Sequence, residues 1–267
     1  MIQLSLDDVR EGMRVGVAVR DTDGRILLGP GVVLNATYLS QLRQRGFWAL
    51  WIEDNDTQDI PYDENLSEAT RLAATAAIRE TFVLTTREAR VLKSASIREV
   101  RATLKNQRFQ KIFQHHPVVE ALMEQIDRVV EEVMGREILT GLNSIRNHDA
   151  YTYHHCLDMS VTGIMIGRQL GLTADRLKKL AVGSILHDIG KIFVDDAILN
   201  KQGPLTPQEF KRMKDHTVLG YILLKDNLRL GILPPHIAYQ HHERQDGSGY
   251  PRHLKGTNKI TRGREYA

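Results

Sequence analysis

The run His187-Asp188-Ile189-Gly190-Lys191, followed by Thr206-Pro207-Gln208-Glu209, His216 and His241-His242-Glu243-Arg244-Gln245-Asp246-Gly247-Ser248-Gly249-Tyr250-Pro251, decides how this chain is read. It concentrates histidines and a carboxylate at the ends and faces of helices. Thr173 is a good N-cap for a helix reaching His187, with Leu177, Leu180, Ser184 and His187 along one face. Thr206, Pro207 and Glu209 form a capping box with proline at the first helical position, so a second helix starts there. Phe210, Met213, His216, Thr217 and Gly220 would be its inward stripe. A third helix is expected over 235–242.

Upstream, a helix from about His154 to Leu170 ends at Gly171. Its spacing predicts a stripe of His155, Met159, Thr162 and Ile166 facing inward. Adjacent residues on a helix point roughly 100° apart, so His187 and Asp188 can share an ion only if other helices close around them. His155, His216, His241 and His242 are spaced to come from such neighbours, as in metal sites inside helical bundles. A mixed histidine and carboxylate set suits iron, manganese, zinc or nickel better than magnesium or calcium. The bland alternative is a group of hydrogen-bonded core histidines. Spacing alone leaves both readings open.

Residues 1–60 read as a small β-rich module. Val15, Val17 and Val19 alternate as on a half-buried strand. Asp21-Thr22-Asp23-Gly24 is a turn, and Ile26 to Leu28 a returning strand. Asn35 caps a short helix that ends at Gly46, and Trp48 to Ile52 forms a last strand. This module is expected to be regulatory or a docking unit. Residues 61–135 read as a linker and connecting helices, with helix-tolerant sequence continuing from Arg87 to Asn106 and a break at Pro117. Val119, Leu122, Ile126, Val129 and Val133 form a two-heptad seam suited to packing on the chain's own next domain or to a homodimer contact.

The 267 residues carry a formal charge of +3 and are 42% hydrophobic and 26% charged. That is an ordinary globular balance, with no strong basic signature for DNA. A single cysteine, Cys156, excludes an internal disulfide and suits a reducing cytoplasm. No apolar run is long enough for a transmembrane helix. All 11 histidines lie at or after His115, so metal chemistry belongs to the second half.

The motifs HDIGK, KQGPLTPQEFKRMKDH and HHERQDGSGYP together resemble the HD-GYP family, over about Tyr151 to Ile260. The resemblance implies an HD-superfamily helical bundle over 136–267, and a mainly α chain overall. It implies a phosphodiesterase that hydrolyses cyclic di-GMP to pGpG or GMP with divalent transition metals, commonly iron or manganese. Carried over by position, His155, His187, Asp188, His216, His241 and His242 are the metal ligands, with Asp188 bridging. Lys191 and Asp188 are the catalytic pair, and Gly249, Tyr250 and Pro251 shape a substrate loop. Tyr151 falls where three-metal members carry glutamate, so two metals are expected.

The family pattern continues into a helix with a further aspartate, where this chain has only Glu265 and no comparable apolar helix. The resemblance therefore implies a C-terminally incomplete domain with impaired activity. Two alternatives follow. One is a non-catalytic binding module acting on a signalling protein partner; the other is a hydrolase of another cyclic dinucleotide.

Overall fold

A computed structural model describes residues 1–21, 25–57, 66–105, 116–136, 151–227 and 231–256. Two apolar clusters organise it. The first joins Leu6, Val15, Val19, Leu28, Leu39, Leu50 and Ile52 with their neighbours. β1 (Ile2–Ser5) pairs antiparallel with β4 (Ala49–Ile52) in the register Ile2 to Ile52, and β2 (Val19–Arg20) pairs with β3 (Ile26–Leu28). β1 is a strand that the sequence reading lacked. The alternating valines give only a two-residue strand, with Val15 making an isolated bridge to Ile52. Asn35 caps α1 (Ala36–Gln44) as expected, its side chain accepting from the Tyr38 amide at 2.8 Å, and Gly46 takes positive φ. The turn at 22–24 lies outside the described residues.

The second cluster runs through the helices. α2 (Glu68–Glu88) starts at the Ser67 cap. The expected continuous stretch from Arg87 instead breaks: a 3-10 turn at Arg90–Leu92 and Ser94 at φ +64° precede α3 (Ile97–Leu104). The cause is local, because Ser96 and Glu99 form a capping box that starts a new helix. α4 (Pro117–Met134) carries the heptad seam, and Pro117 begins this helix with His116 as cap. All five seam residues are buried within the chain's own core, against α2 and the helices that follow.

α5 (Tyr151–Gln169), α6 (Ala174–Leu186), the short α7 (Asp196–Leu199), α8 (Pro207–Asn227) and α9 (Leu233–Gln240) complete the bundle. α5 packs on α6, and α9 on both α6 and α8. The stripe expected on α5 is corrected: Met159 and Ile166 are exposed, and Cys156, Leu157, Val161 and Ile164 fill the core. α9 begins two residues earlier and ends before His241. Among the described residues no helix is long and apolar enough to cross a membrane.

The first turns of α2 join three neighbours. Glu68 pairs with Arg20 of the N-terminal cluster, and Ser67 hydrogen-bonds Glu132 on α4. Arg71 meets Asp158 on α5 at 3.1 Å, with the Asp158 side chain 8% exposed. Asp158 lies one turn from His155, on the same helix.

Candidate metal centre

α6 ends at His187, and Asp188 opens a 3-10 turn over Ile189–Phe193. This tight turn swings the Asp188 carboxylate inward, away from the line of α6, so the roughly 100° separation of a continuous helix no longer applies. The turn lies against α8 because Gly190 and Gly220 have no side chains there. A Cβ on Gly190 would sit 1.9 Å from the His216 carbonyl oxygen and 2.5 Å from the Gly220 nitrogen. These glycines set the approach of Asp188 to His216, a role invisible in the sequence.

Asp188 is buried, and its two oxygens face different ways. Oδ2 meets the Lys191 ammonium at 2.6 Å and His187 Nε2 at 3.3 Å. Oδ1 faces His216 Nε2 at 3.4 Å and His241 Nε2 at 3.5 Å, and has no hydrogen-bond partner among the described residues. Burial alone would raise the Asp188 pKa. The imidazoles of His187 and His241 and the charge of Lys191 outweigh it and hold the carboxyl below the ordinary range.

The imidazoles are oriented by their far nitrogens. Nδ1 of His187 lies 2.7 Å from the Ser184 carbonyl, that of His216 2.7 Å from the Met213 carbonyl, and that of His241 3.0 Å from the Ala238 carbonyl. A carbonyl only accepts, so each Nδ1 carries a proton, and each Nε2 faces inward. Burial pushes the His216 pKa down to about 4, which keeps it neutral at pH 7. Burial and the neighbouring His241 do the same for His242, also to about 4.

His216 Nε2 and His241 Nε2 are 3.2 Å apart. These two ring nitrogens and Asp188 Oδ1 thus converge, each within 3.5 Å of the other two. Asp188, His216, His241 and His242 can each aim one donor atom so that all lie within 4.8 Å. Backbone-oriented imidazoles with a buried carboxylate are the donor set of a divalent transition metal, and the residues fit one. On the other side of Asp188, His155 stands with its ring centroid 5.5 Å from that of His187. The six histidine and aspartate residues expected at the site are therefore brought together. Lys191 is also present, half-buried beside Asp188. Glu265 lies outside the described residues, as does most of the segment leading into Tyr151.

The Gly249-Tyr250-Pro251 loop buttresses the cluster. A Cβ on Gly249 would come 2.3 Å from the Arg244 nitrogen, so the loop can fold back on His242 only with glycine there. The Tyr250 ring stacks on His242 at 4.6 Å and 21°, and burial raises its hydroxyl pKa to about 12. The Tyr250–Pro251 peptide is cis. Glu243 fastens the loop by accepting from the amides of Arg252 at 2.6 Å and Leu254 at 2.8 Å.

The family model for the HD domain matches residues 101–262. The chain is 38% identical over 146 residues to a cyclic di-GMP phosphodiesterase of Thermotoga maritima, covering 54% of this chain and 39% of that protein. It is 29% identical over 252 residues to a cyclic di-GMP phosphodiesterase of Pseudomonas aeruginosa, covering 90% of this chain and 60% of that one. The chain thus spans less than two thirds of these relatives' length. A solved HDGYP protein of Bdellovibrio bacteriovorus aligns with a TM-score of 0.43 at 17% identity, over 95% of this chain and 81% of that one. With the HD-domain model matched over most of its length and its HD pair, paired histidines and GYP loop assembled around one centre, the chain belongs to the HD-domain family and to the HD-GYP group within it.

Proposed function

We propose that this chain is a metal-dependent phosphodiesterase acting on cyclic di-GMP and yielding pGpG or GMP. The observation that carries the reading is the convergence of His216 Nε2, His241 Nε2 and the buried Asp188 Oδ1 within 3.5 Å of one another, with His242 beside them. Such a cluster is costly unless a cation occupies it. The relatives' phosphodiesterase activity supports the same chemistry.

Two ions of iron or manganese are the expected occupants, and Asp188 would be a ligand to both. His216, His241, His242 and Asp188 would hold one ion, and His155, His187 and Asp188 the other. When bound, the metals neutralise phosphate charge and supply an acidified water. The protein's own residues do the rest. Asp188 stays ionised, His216 and His242 stay neutral at pH 7, and the Lys191 ammonium lies where it can offset charge on a nonbridging phosphate oxygen. The lone, buried Cys156 suits a reducing cytoplasm.

The test loads purified protein with Mn²⁺ or Fe²⁺ and follows both thermal stability and turnover of cyclic di-GMP. Metal at about 100 times its Kd should stabilise the fold by about 2.7 kcal/mol. Turnover should disappear in Asp188→Ala. Binding of cyclic di-GMP without turnover would point to a non-catalytic module. Preferential cleavage of 3′3′-cyclic GMP–AMP would reassign the substrate, and the absence of any metal-dependent stabilisation would overturn the metal centre.

A further inference from the structure

Phe210 is out of place for a core residue. It sits on the first turn of α8, a position whose spacing predicts burial, yet it is 47% exposed. The helix start does not need it, because Thr206 and Glu209 already cap each other through hydrogen bonds of 2.7 and 3.2 Å. Its ring stands edge-on to Tyr250 at 6.3 Å and 81°, and Tyr250 in turn stacks on His242. Lys214, one turn further along α8, holds its ammonium 5.2 Å from the Phe210 centroid and 5.7 Å from that of Tyr250. A row of rings therefore leads from solvent to the metal-ligand cluster, with one cation beside it.

We propose that Phe210, Tyr250 and Lys214 form a nucleobase seat, taking a purine of the dinucleotide whose phosphodiester lies at Asp188. This rests on the phosphodiesterase reading above. The chemistry of the seat matches a base better than a second phosphate or a peptide. A half-exposed aromatic face next to an anion-binding centre offers stacking to any π-system. The Lys214 ammonium, over the Phe210 and Tyr250 rings and on a flexible stem, can swing aside from a stacked base to reach the O6 and N7 acceptors that mark guanine. Tyr250 has the further role of supporting His242, so Phe210 and Lys214 are the residues that test the seat.

The experiment compares wild type, Phe210→Ala, Phe210→Leu and Lys214→Met on cyclic di-GMP and on bis(p-nitrophenyl) phosphate, a phosphodiester with no nucleobase. The ratio of kcat/KM for the two substrates should fall roughly tenfold in both Phe210 variants, within the range that base–aromatic stacking contributes. Leucine restores apolar bulk but no π face, so recovery of the ratio in Phe210→Leu would overturn the seat. An unchanged ratio in Phe210→Ala would do the same. Calorimetry on metal-free protein gives a readout independent of turnover. Wild type should prefer GMP over ribose 5-phosphate, and Phe210→Ala should erase that preference. If wild type hydrolyses neither diester, the phosphodiesterase reading fails, while the GMP preference still decides the seat on its own. Equal binding of GMP and ribose 5-phosphate by wild type would overturn it.

Discussion

Replacing Gly190 with alanine should separate the two halves of the metal centre. The added Cβ would lie 1.9 Å from the His216 carbonyl oxygen, where ordinary contact begins at 3.4 Å, so the turn and α8 must part by about 1.5 Å. Both colliding groups are backbone, and neither can rotate away. Asp188 Oδ1 and His216 Nε2, now 3.4 Å apart, would open to about 4.9 Å. Two metal–ligand bonds of about 2.1 Å span at most about 4.2 Å, so one ion could no longer hold both. Overpacking of this kind costs about 1–3 kcal/mol, and a backbone clash belongs at the upper end. At about 2–4 °C per kcal/mol, Tm should fall by roughly 6–12 °C. The assay is urea unfolding of the metal-free protein beside calorimetric titration with Mn²⁺. Gly135→Ala is the control, since its Cβ meets nothing closer than 3.4 Å. If Gly190→Ala unfolds at the wild-type midpoint and binds Mn²⁺ with wild-type affinity, the close approach does not set the centre.

Two further outcomes follow from buried charge. Arg71→Met leaves Asp158 without the guanidinium now 3.1 Å away; stability should fall by about 3 kcal/mol, and Arg71→Met/Asp158→Leu should recover most of it, both read by urea denaturation. His216 and His242 have folded pKa values of about 4, below the ordinary 6.5. Between those values the unfolded chain binds more protons, so stability is present above pH 6.5 and lost as pH falls toward 4. The depressed Asp188 pKa acts in the same direction at still lower pH. The urea midpoint of metal-free protein should therefore drop steadily from pH 6.5 to pH 4; a midpoint independent of pH there would contradict neutral buried imidazoles.

The candidate ligand residues were legible through their motifs, since spacing alone left a cluster of core histidines equally open. A histidine after a helix, an HD pair and a capping box at Thr206 are visible in the chain itself, and the geometry brings His155, His187, Asp188, His216, His241 and His242 together. What stayed hidden depends on tertiary approach. Nothing in the spacing of Gly190 and Gly220 announces that one backbone lies on the other. The stripe through Met159 and Ile166 failed because it was phased on His155. A ligand at the rim of a core points between the apolar face and solvent, so counting from it rotates the helix. Phe210 failed for the same reason, being counted with His216. β1 was missed because its partner, β4, lies some fifty residues away, and a four-residue edge strand carries little pattern of its own.

The first turns of α2 act as a keystone. Ser67, Glu68 and Arg71 each hold a different neighbour: α4, the N-terminal cluster and the helix bearing His155. A keystone cannot shift to suit one side without moving the others. The N-terminal cluster and the histidine-bearing helix thus share a single boundary condition, set by five consecutive residues far from any metal ligand in the sequence.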